Sequence, residues 1–194
     1  MNKIFVHINR TLSLLMAMIM FFMLYSCQKS PTISSVQNEK DDKLIAEFIA
    51  SHSISPSGEI VSSSQGGSIP LSDTIYSTQD FHIVHLSHGA GVSPSINDRV
   101  DITYRGYYLH DLHLFDSKDT PTPVWLSGAI EGISKAVTSM KTASNDNPIP
   151  GKAWVIIPSR MGWGADDMDT PSVPANTCLL YYIELHSIST IEKQ

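Results

Sequence analysis

Between Ile102 and Ser117 the chain reads Ile-Thr-Tyr-Arg-Gly and then, a few residues on, Leu-Phe-Asp-Ser, which places Tyr104, Phe115 and Asp116 around one hairpin. A phenol, a phenyl ring and a carboxylate so placed can wall a small cup and rim it with one donor and one acceptor. The same residues have a plainer reading. Tyr104, Phe115 and Tyr181 on alternating strand positions suit core aromatics, and Asp116 before Ser117 suits a turn or a cap. The other chemistry-bearing groups point away from metals and nucleophiles. His82, His85 and His88 are spaced by three, which on a strand puts His85 on the face opposite the other two. His110, Asp111 and His113 flank the hairpin, and Asp166, Asp167 and Asp169 lie in a later loop without EF-hand spacing; both sets read as solvated surface. Cys178 sits in an apolar strand with no histidine nearby to activate it, and reads as a small core residue. No metal and no cofactor is expected.

Holding such a cup requires a sheet and an element laid across it. Residues 81–86 and 100–108 have strand composition, and Asn97-Asp98 makes a natural turn before the second. Residues 129–141 form the one convincing helix of the domain, with Ile130, Ile133, Val137 and Met140 on one stripe. A breaker-rich loop, 142–150, separates it from two further strands, 151–158 and 177–187. The last is nearly continuously apolar, as a central strand covered by a helix is. The sum is an α+β domain, an antiparallel sheet wrapped around a single helix. Upstream, residues 41–53 put Leu44, Ile45, Phe48 and Ile49 on one helical face, with Asp41 and Asp42 at the start where negative charge favours the helix dipole. Residues 55–74 are rich in Ser and Gly, with a brief edge strand at 59–62.

Further segments extend the pattern: Gly128-Ala129-Ile130-Glu131-Gly132, then Ile157-Pro158-Ser159-Arg160-Met161-Gly162-Trp163-Gly164, then Val173-Pro174-Ala175-Asn176-Thr177, and the strand ending Ile183-Glu184-Leu185. In this order the segments, covering residues 100–187, resemble the FKBP-type peptidyl-prolyl isomerases, whose pattern runs Val-x-Tyr-x-Gly, Phe-Asp-Ser, Val-Ile-x-Gly-Trp, Ile-Pro-x-x-x-Ala-Tyr-Gly and Ile-Pro-Pro-Asn-x-Thr-Leu. The resemblance implies a pocket with Tyr104, Phe115 and Asp116 intact, the backbone N–H of Ile130 as a carbonyl donor, Trp163 in place of a Tyr, and Tyr181 in place of a Phe. Val124, Ala129, Ile133 and Val173 would complete the substrate wall. It also implies the chemistry. Rotation about an X-Pro amide breaks resonance, with a barrier of ~18–20 kcal/mol, and is helped by a desolvating cup and fixed donors without nucleophile or proton transfer. Three departures stand out. Ile133 replaces the Trp that floors the family pocket, Thr122 and Val124 stand near its aromatic pair, and residues 118–122 are too few to place the usual Arg beside Asp116. The expected cup is shallower and less aromatic, and Asp116 lacks its usual countercharge unless Arg105 or Arg160 reaches it from elsewhere. The implied partners are proline-containing segments of polypeptide, met either as an isomerase and folding chaperone or as an inactive peptide-binding module.

The chain of 194 residues suffices for one domain with tails, and its net charge of −6 without a basic run argues against a nucleic-acid partner. Residues 1–27 differ in kind: Lys3 and Arg10 precede an apolar run, 12–24, of signal-peptide length. The run ends in Leu24-Tyr25-Ser26-Cys27, which resembles the lipobox of bacterial lipoproteins and makes Cys27 the expected lipidation site. The expected organisation is a signal peptide at 1–27, a flexible tether at 28–40, a helix and Ser/Gly-rich segment at 41–80, and an FKBP-like domain at 81–194. It would be a monomer held to the membrane of the cell envelope by its lipid. A fatty-acid analogue should label the wild-type protein and leave Cys27→Ser unlabelled, because the thioether needs the thiol; equal labelling of both would rule the anchor out.

Overall fold

The computed structural model describes residues 33–63, 65–77, 81–169 and 172–189. The chain divides into two units, Met1–Val36 and Gln37–Gln194. The signal-peptide and lipidation readings, 1–27 with Cys27, lie outside the described residues, as do 28–32 of the expected tether. Helix α1 is Ile33–Ser51 and starts earlier than expected, so residues 33–40 are helical rather than tether. Nothing after Pro31 breaks a helix, and Gln37 Nε2 donates to Asp41 Oδ1 at 2.7 Å one turn on.

Strands β1 (His52–Ile54), β2 (Ile60–Ser62) and β3 (Ile69–Pro70) form a small sheet in the order β2-β1-β3, followed by the single turn α2 (Leu71–Thr74). The main sheet comprises β4 (Tyr76–Ser77), β5 (His82–His88), β6 (Arg99–Tyr108), β7 (Leu114–Trp125), β8 (Gly151–Ile157) and β11 (Leu179–Ser189). Its order is β4-β5-β8-β11-β6-β7, antiparallel throughout. A short β9 (Met168–Asp169) pairs with β10 (Ser172–Val173). The full length of β7 is hidden in the sequence by Pro121 and Pro123. Both are tolerated because β7 is an edge strand, where a missing N–H breaks no interior ladder.

Helix α3, Glu131–Ser139, lies on one face of the sheet, where Ile133, Val137 and the following Met140 join Ile102, Val155, Ile157, Leu179 and Ile183 in one core. The opposite face is also covered. Ile45 and Phe48 of α1 pack with Leu71, Val84, Trp154, Ile156 and Leu180 in a second core. The expected α+β fold, an antiparallel sheet with one helix across it, is the one observed, and α1 adds a layer on the other face. Strand β11 is apolar at consecutive positions because its two faces feed two cores. Cys178 belongs to the second of them, 3% exposed, with burial pushing its thiol up to about 12.

The loop after α3 is pinned at its start. Ala90 and Gly91 donate to Thr142 O, and Thr142 N returns to Val92 O. Gly89 makes this approach possible: its φ is +71°, and a Cβ would lie 2.2 Å from Lys141 O.

One reading of the sequence is overturned in β5. A register shift between His85 and Ser87 breaks the alternation, so His85 and His88 do not fall on opposite faces; their rings stack at 4.6 Å. Among the described residues no cluster of three or more metal-ligating side chains forms. The His85 Nδ1 is buried without a hydrogen-bond partner, and burial first, then the charge of His88, lowers its pKa. An unfolded His takes up its proton near pH ~6.5, whereas the native state resists it, so this contribution to stability is full above that pH and lost as pH falls below it. Denaturant unfolding at pH 7.5 and at pH 5.0 should show the loss, and His85→Leu should reduce the difference. An unchanged pH dependence in that variant would remove His85 from the account; His82, also shifted down by burial, would then be the group to test.

Candidate functional site

On β6, Ile102 and Tyr104 share the α3 face of the sheet, and Gly106 follows at the same period. Glycine is required there for space. A Cβ on Gly106 would stand 2.8 Å from the Tyr181 ring and 2.9 Å from Phe115 Cζ. Two rings thus converge over a bare backbone. Phe115 meets Tyr181 edge-on at 5.8 Å and 87°, meets Trp163 at 6.2 Å and 78°, and stacks on Tyr108 at 5.1 Å. Tyr104 tilts against Tyr181 at 6.0 Å. Each such pair adds ~0.5–1.5 kcal/mol beyond area burial, and together they stiffen one wall.

Beside these rings opens a cleft of about 250 Å³ with mostly apolar walls. Tyr104, Asp116, Val124, Ala129, Ile130, Ile133, Trp163 and Tyr181 line it, joined by Ile102 and Gly128. Two residues assigned to the site from the sequence do not line it. Phe115 stands behind, as the ring against which both Tyr181 and Trp163 lean, and Val173 is 2% exposed inside the core. Of the two residues not anticipated, Ile102 carries a sequence signal, since it lies two positions before Tyr104 on a strand. Gly128 ends a 3₁₀ turn, Leu126–Gly128, that the helix stripe does not announce.

Each lining residue is placed by a distinct element. Ile130 caps the first turn of α3, where backbone N–H groups have no intrahelical acceptors and lie at the positive end of the helix dipole, and Ala129 just before it donates its own N–H to Leu126 O at 3.3 Å. Ser134 ties this entry down, its hydroxyl donating to Leu126 O at 2.6 Å. Trp163 arrives on the turn after β8, beyond the 3₁₀ segment Ser159–Met161.

At the polar rim the partner of Asp116 is a phenol, and neither Arg105 nor Arg160 is paired with it. Tyr104 donates its hydroxyl to Asp116 Oδ2 at 2.8 Å. Arg105 pairs with Asp119, with NH2 to Oδ1 at 3.1 Å, and Arg160 pairs with Asp42 at 3.0 Å. Arg105 follows Tyr104 on β6 and therefore points to the other face of the sheet. Burial, then the bond to Asp116, pushes the Tyr104 phenol well above its usual range, so it remains a donor at any physiological pH. The carboxylate is thus oriented by a neutral hydroxyl inside the cleft.

Larger hollows lie elsewhere. One of about 360 Å³ on the opposite sheet face is lined by Arg105, Lys118, Asp119 and Glu184 among others. Its charged walls would solvate a peptide bond rather than desolvate it. The apolar cleft is the site that combines low polarity with convergent donors.

The family model for FKBP-type peptidyl-prolyl cis-trans isomerase matches residues 91–186, which include β6, β7, α3, β8 and most of β11. The peptidyl-prolyl cis-trans isomerase Mip of Coxiella burnetii is 31% identical over 108 residues, a match spanning 53% of this chain and 42% of that relative. Among solved structures, a peptidyl-prolyl cis-trans isomerase from Pseudomonas syringae superposes with a TM-score of 0.55 at 21% identity, over 84% of this chain and all of the other. FkpA from Escherichia coli gives 0.56 at 18% identity, over 94% and 71%. Through residues 91–186 the chain belongs to the FKBP-type peptidyl-prolyl cis-trans isomerase family.

Proposed function

We propose that the apolar cleft receives the prolyl ring of an X-Pro segment and lowers the barrier to rotation about its amide. The observation that carries this reading is the meeting, in one cleft, of Tyr104, Asp116, Ile130, Trp163 and Tyr181, residues drawn from five separate parts of the fold. Trp163 and Tyr181 flank the ring, while Val124 and Ile133 exclude water from the amide. A planar amide is dipolar through resonance and its twisted form less so, so removal of water favours the twisted state. The Ile130 N–H and the Trp163 indole N–H are donors for the peptide carbonyls, and Asp116, oriented by Tyr104, sets the charge of the rim. No bond is made and no proton moves.

The N-terminal segment supports a location as well as an activity. The signal-like run and Cys27 favour a lipid-tethered protein that meets proline-containing segments of exported polypeptides at the cell envelope. No helix among the described residues is long and apolar enough to cross a membrane.

A second reading is a module that binds proline-rich segments without catalysis. Ile133 favours it, since a branched aliphatic floor grips a ring less broadly than an indole does. The two are separated by a protease-coupled assay on a peptide with Leu before Pro. Catalysis predicts a rate above the uncatalysed one. Trp163→Ala should lose ~10-fold or more of the gain, ~1.4 kcal/mol of transition-state stabilisation, with folding retained. Asp116→Asn should lose less, because shape and one acceptor persist. Binding of the peptide in a Trp163-dependent manner with no rate gain would overturn the isomerase reading in favour of the module.

A further inference from the structure

The turn that carries Trp163 is held from outside the site by a carboxylate of helix α1. Asp41 is 2% exposed, and its Oδ2 accepts both the Ser159 backbone N–H at 2.9 Å and the Ser159 hydroxyl at 2.6 Å. Its other oxygen accepts from Gln37. Ser159 is itself a node, because its carbonyl accepts from Gly162 N at 3.0 Å and Gly164 N at 2.9 Å, the residues on either side of Trp163. One residue therefore links Asp41 on one side to both neighbours of Trp163 on the other. Asp41 lies on the same helical face as Ile45 and Phe48, which are buried in the second core, so the carboxylate is delivered by a packed helix rather than a loose arm. The adjacent Asp42 to Arg160 pair reinforces the same junction.

We propose that Asp41 is a positioning residue for the cleft: by fixing Ser159 from the far side of the sheet it sets the direction in which Trp163 faces bound peptide. Charge-assisted hydrogen bonds of this length in a buried setting are stiff and directional. The 3₁₀ turn contributes little rigidity of its own, having three residues and no side-chain cap. Helix α1 is then part of the site's support, which gives the second core a role in peptide recognition. The inference rests on the reading of the cleft as a proline cup, but its structural half does not need activity.

The full chain labelled with 5-fluorotryptophan gives resonances for Trp125, Trp154 and Trp163, and Trp163→Phe assigns the last. Asp41→Ala and Ser159→Ala should each shift or broaden the Trp163 line. Ser159→Ala leaves the apolar face of α1 untouched and so should leave the Trp154 line, in the second core, in place. For an Ala-Leu-Pro-Phe peptide, each variant should weaken kcat/KM about 10-fold, and Asp41→Asn, which retains an acceptor for the Ser159 N–H, should recover part of the loss. Neither variant should cost anything further once Trp163→Ala is present. A Trp163 line unmoved in both variants, or losses that add in full to that of Trp163→Ala, would overturn the proposal. A wild-type protein that neither binds nor turns over the peptide would instead overturn the proline-cup reading, while the fluorine spectra still decide whether Asp41 directs Trp163.

Discussion

At Gly132, helix α3 rests directly on β8: a Cβ there would lie 2.5 Å from Ile157 Cγ2 and 2.8 Å from its Cδ1. No side chain can stand between helix and sheet at that point, and the first turn of α3 is drawn down until its backbone reaches the sheet's side chains. This close seating brings Ile130 and Ile133 to the lining of the cleft. It also leaves the gap beside β6 that becomes the cleft. A second glycine, Gly106, does the same for the opposite wall by admitting Tyr181 and Phe115 against bare backbone. The cleft is a void left between rigid parts, which suits a reaction whose main requirement is a fixed, dry shape.

The walls in turn depend on a sheet that cannot flex. With α3 on one face and α1 on the other, the long strands β6, β8 and β11 sit between two cores, and Trp154 bridges outward by donating its indole N–H to Gly58 O at 2.8 Å. Burial on two faces makes an ordinary amount of apolar surface go further, since each central strand contributes both sets of its side chains. The aromatic residues on the second face, Tyr107, Trp154 and Tyr182, pack among themselves and take no part in the cleft.

Much of this is readable from residue types alone, and the parts that are not fail for identifiable reasons. The stripe Ile133, Val137 and Met140 on α3 and the run of β11 announce a helix over a central strand. The early start of α1 escapes notice because residues 33–40 lack an apolar period and show only the absence of breakers. The length of β7 is masked by Thr120-Pro121-Thr122-Pro123, whose meaning depends on an edge position that no local signal reveals. His85 and His88 are misassigned by strict alternation because a bulge is invisible to periodicity. In the site, Tyr104, Asp116, Ile130 and Trp163 are found by the order of segments rather than by any single motif. Phe115 is singled out as a cleft residue but stands behind the wall rather than on it, since sequence spacing cannot separate a lining ring from a buttress. Asp116 is bonded by the neutral phenol of Tyr104 rather than by an arginine, because β6 sends Tyr104 and Arg105 to opposite faces and Arg105 pairs with Asp119.

The central claim, that the cleft both binds and turns an X-Pro bond, is tested most directly by exchange spectroscopy on a proline peptide with a small amount of protein added. The account predicts cross-peaks between the cis and trans resonances of the peptide at mixing times where the free peptide shows none, together with shifts in the protein at the Ile130 amide and the Trp163 indole. Exchange absent while those two groups still respond would contradict catalysis. Exchange present while they do not respond would contradict the location assigned to it.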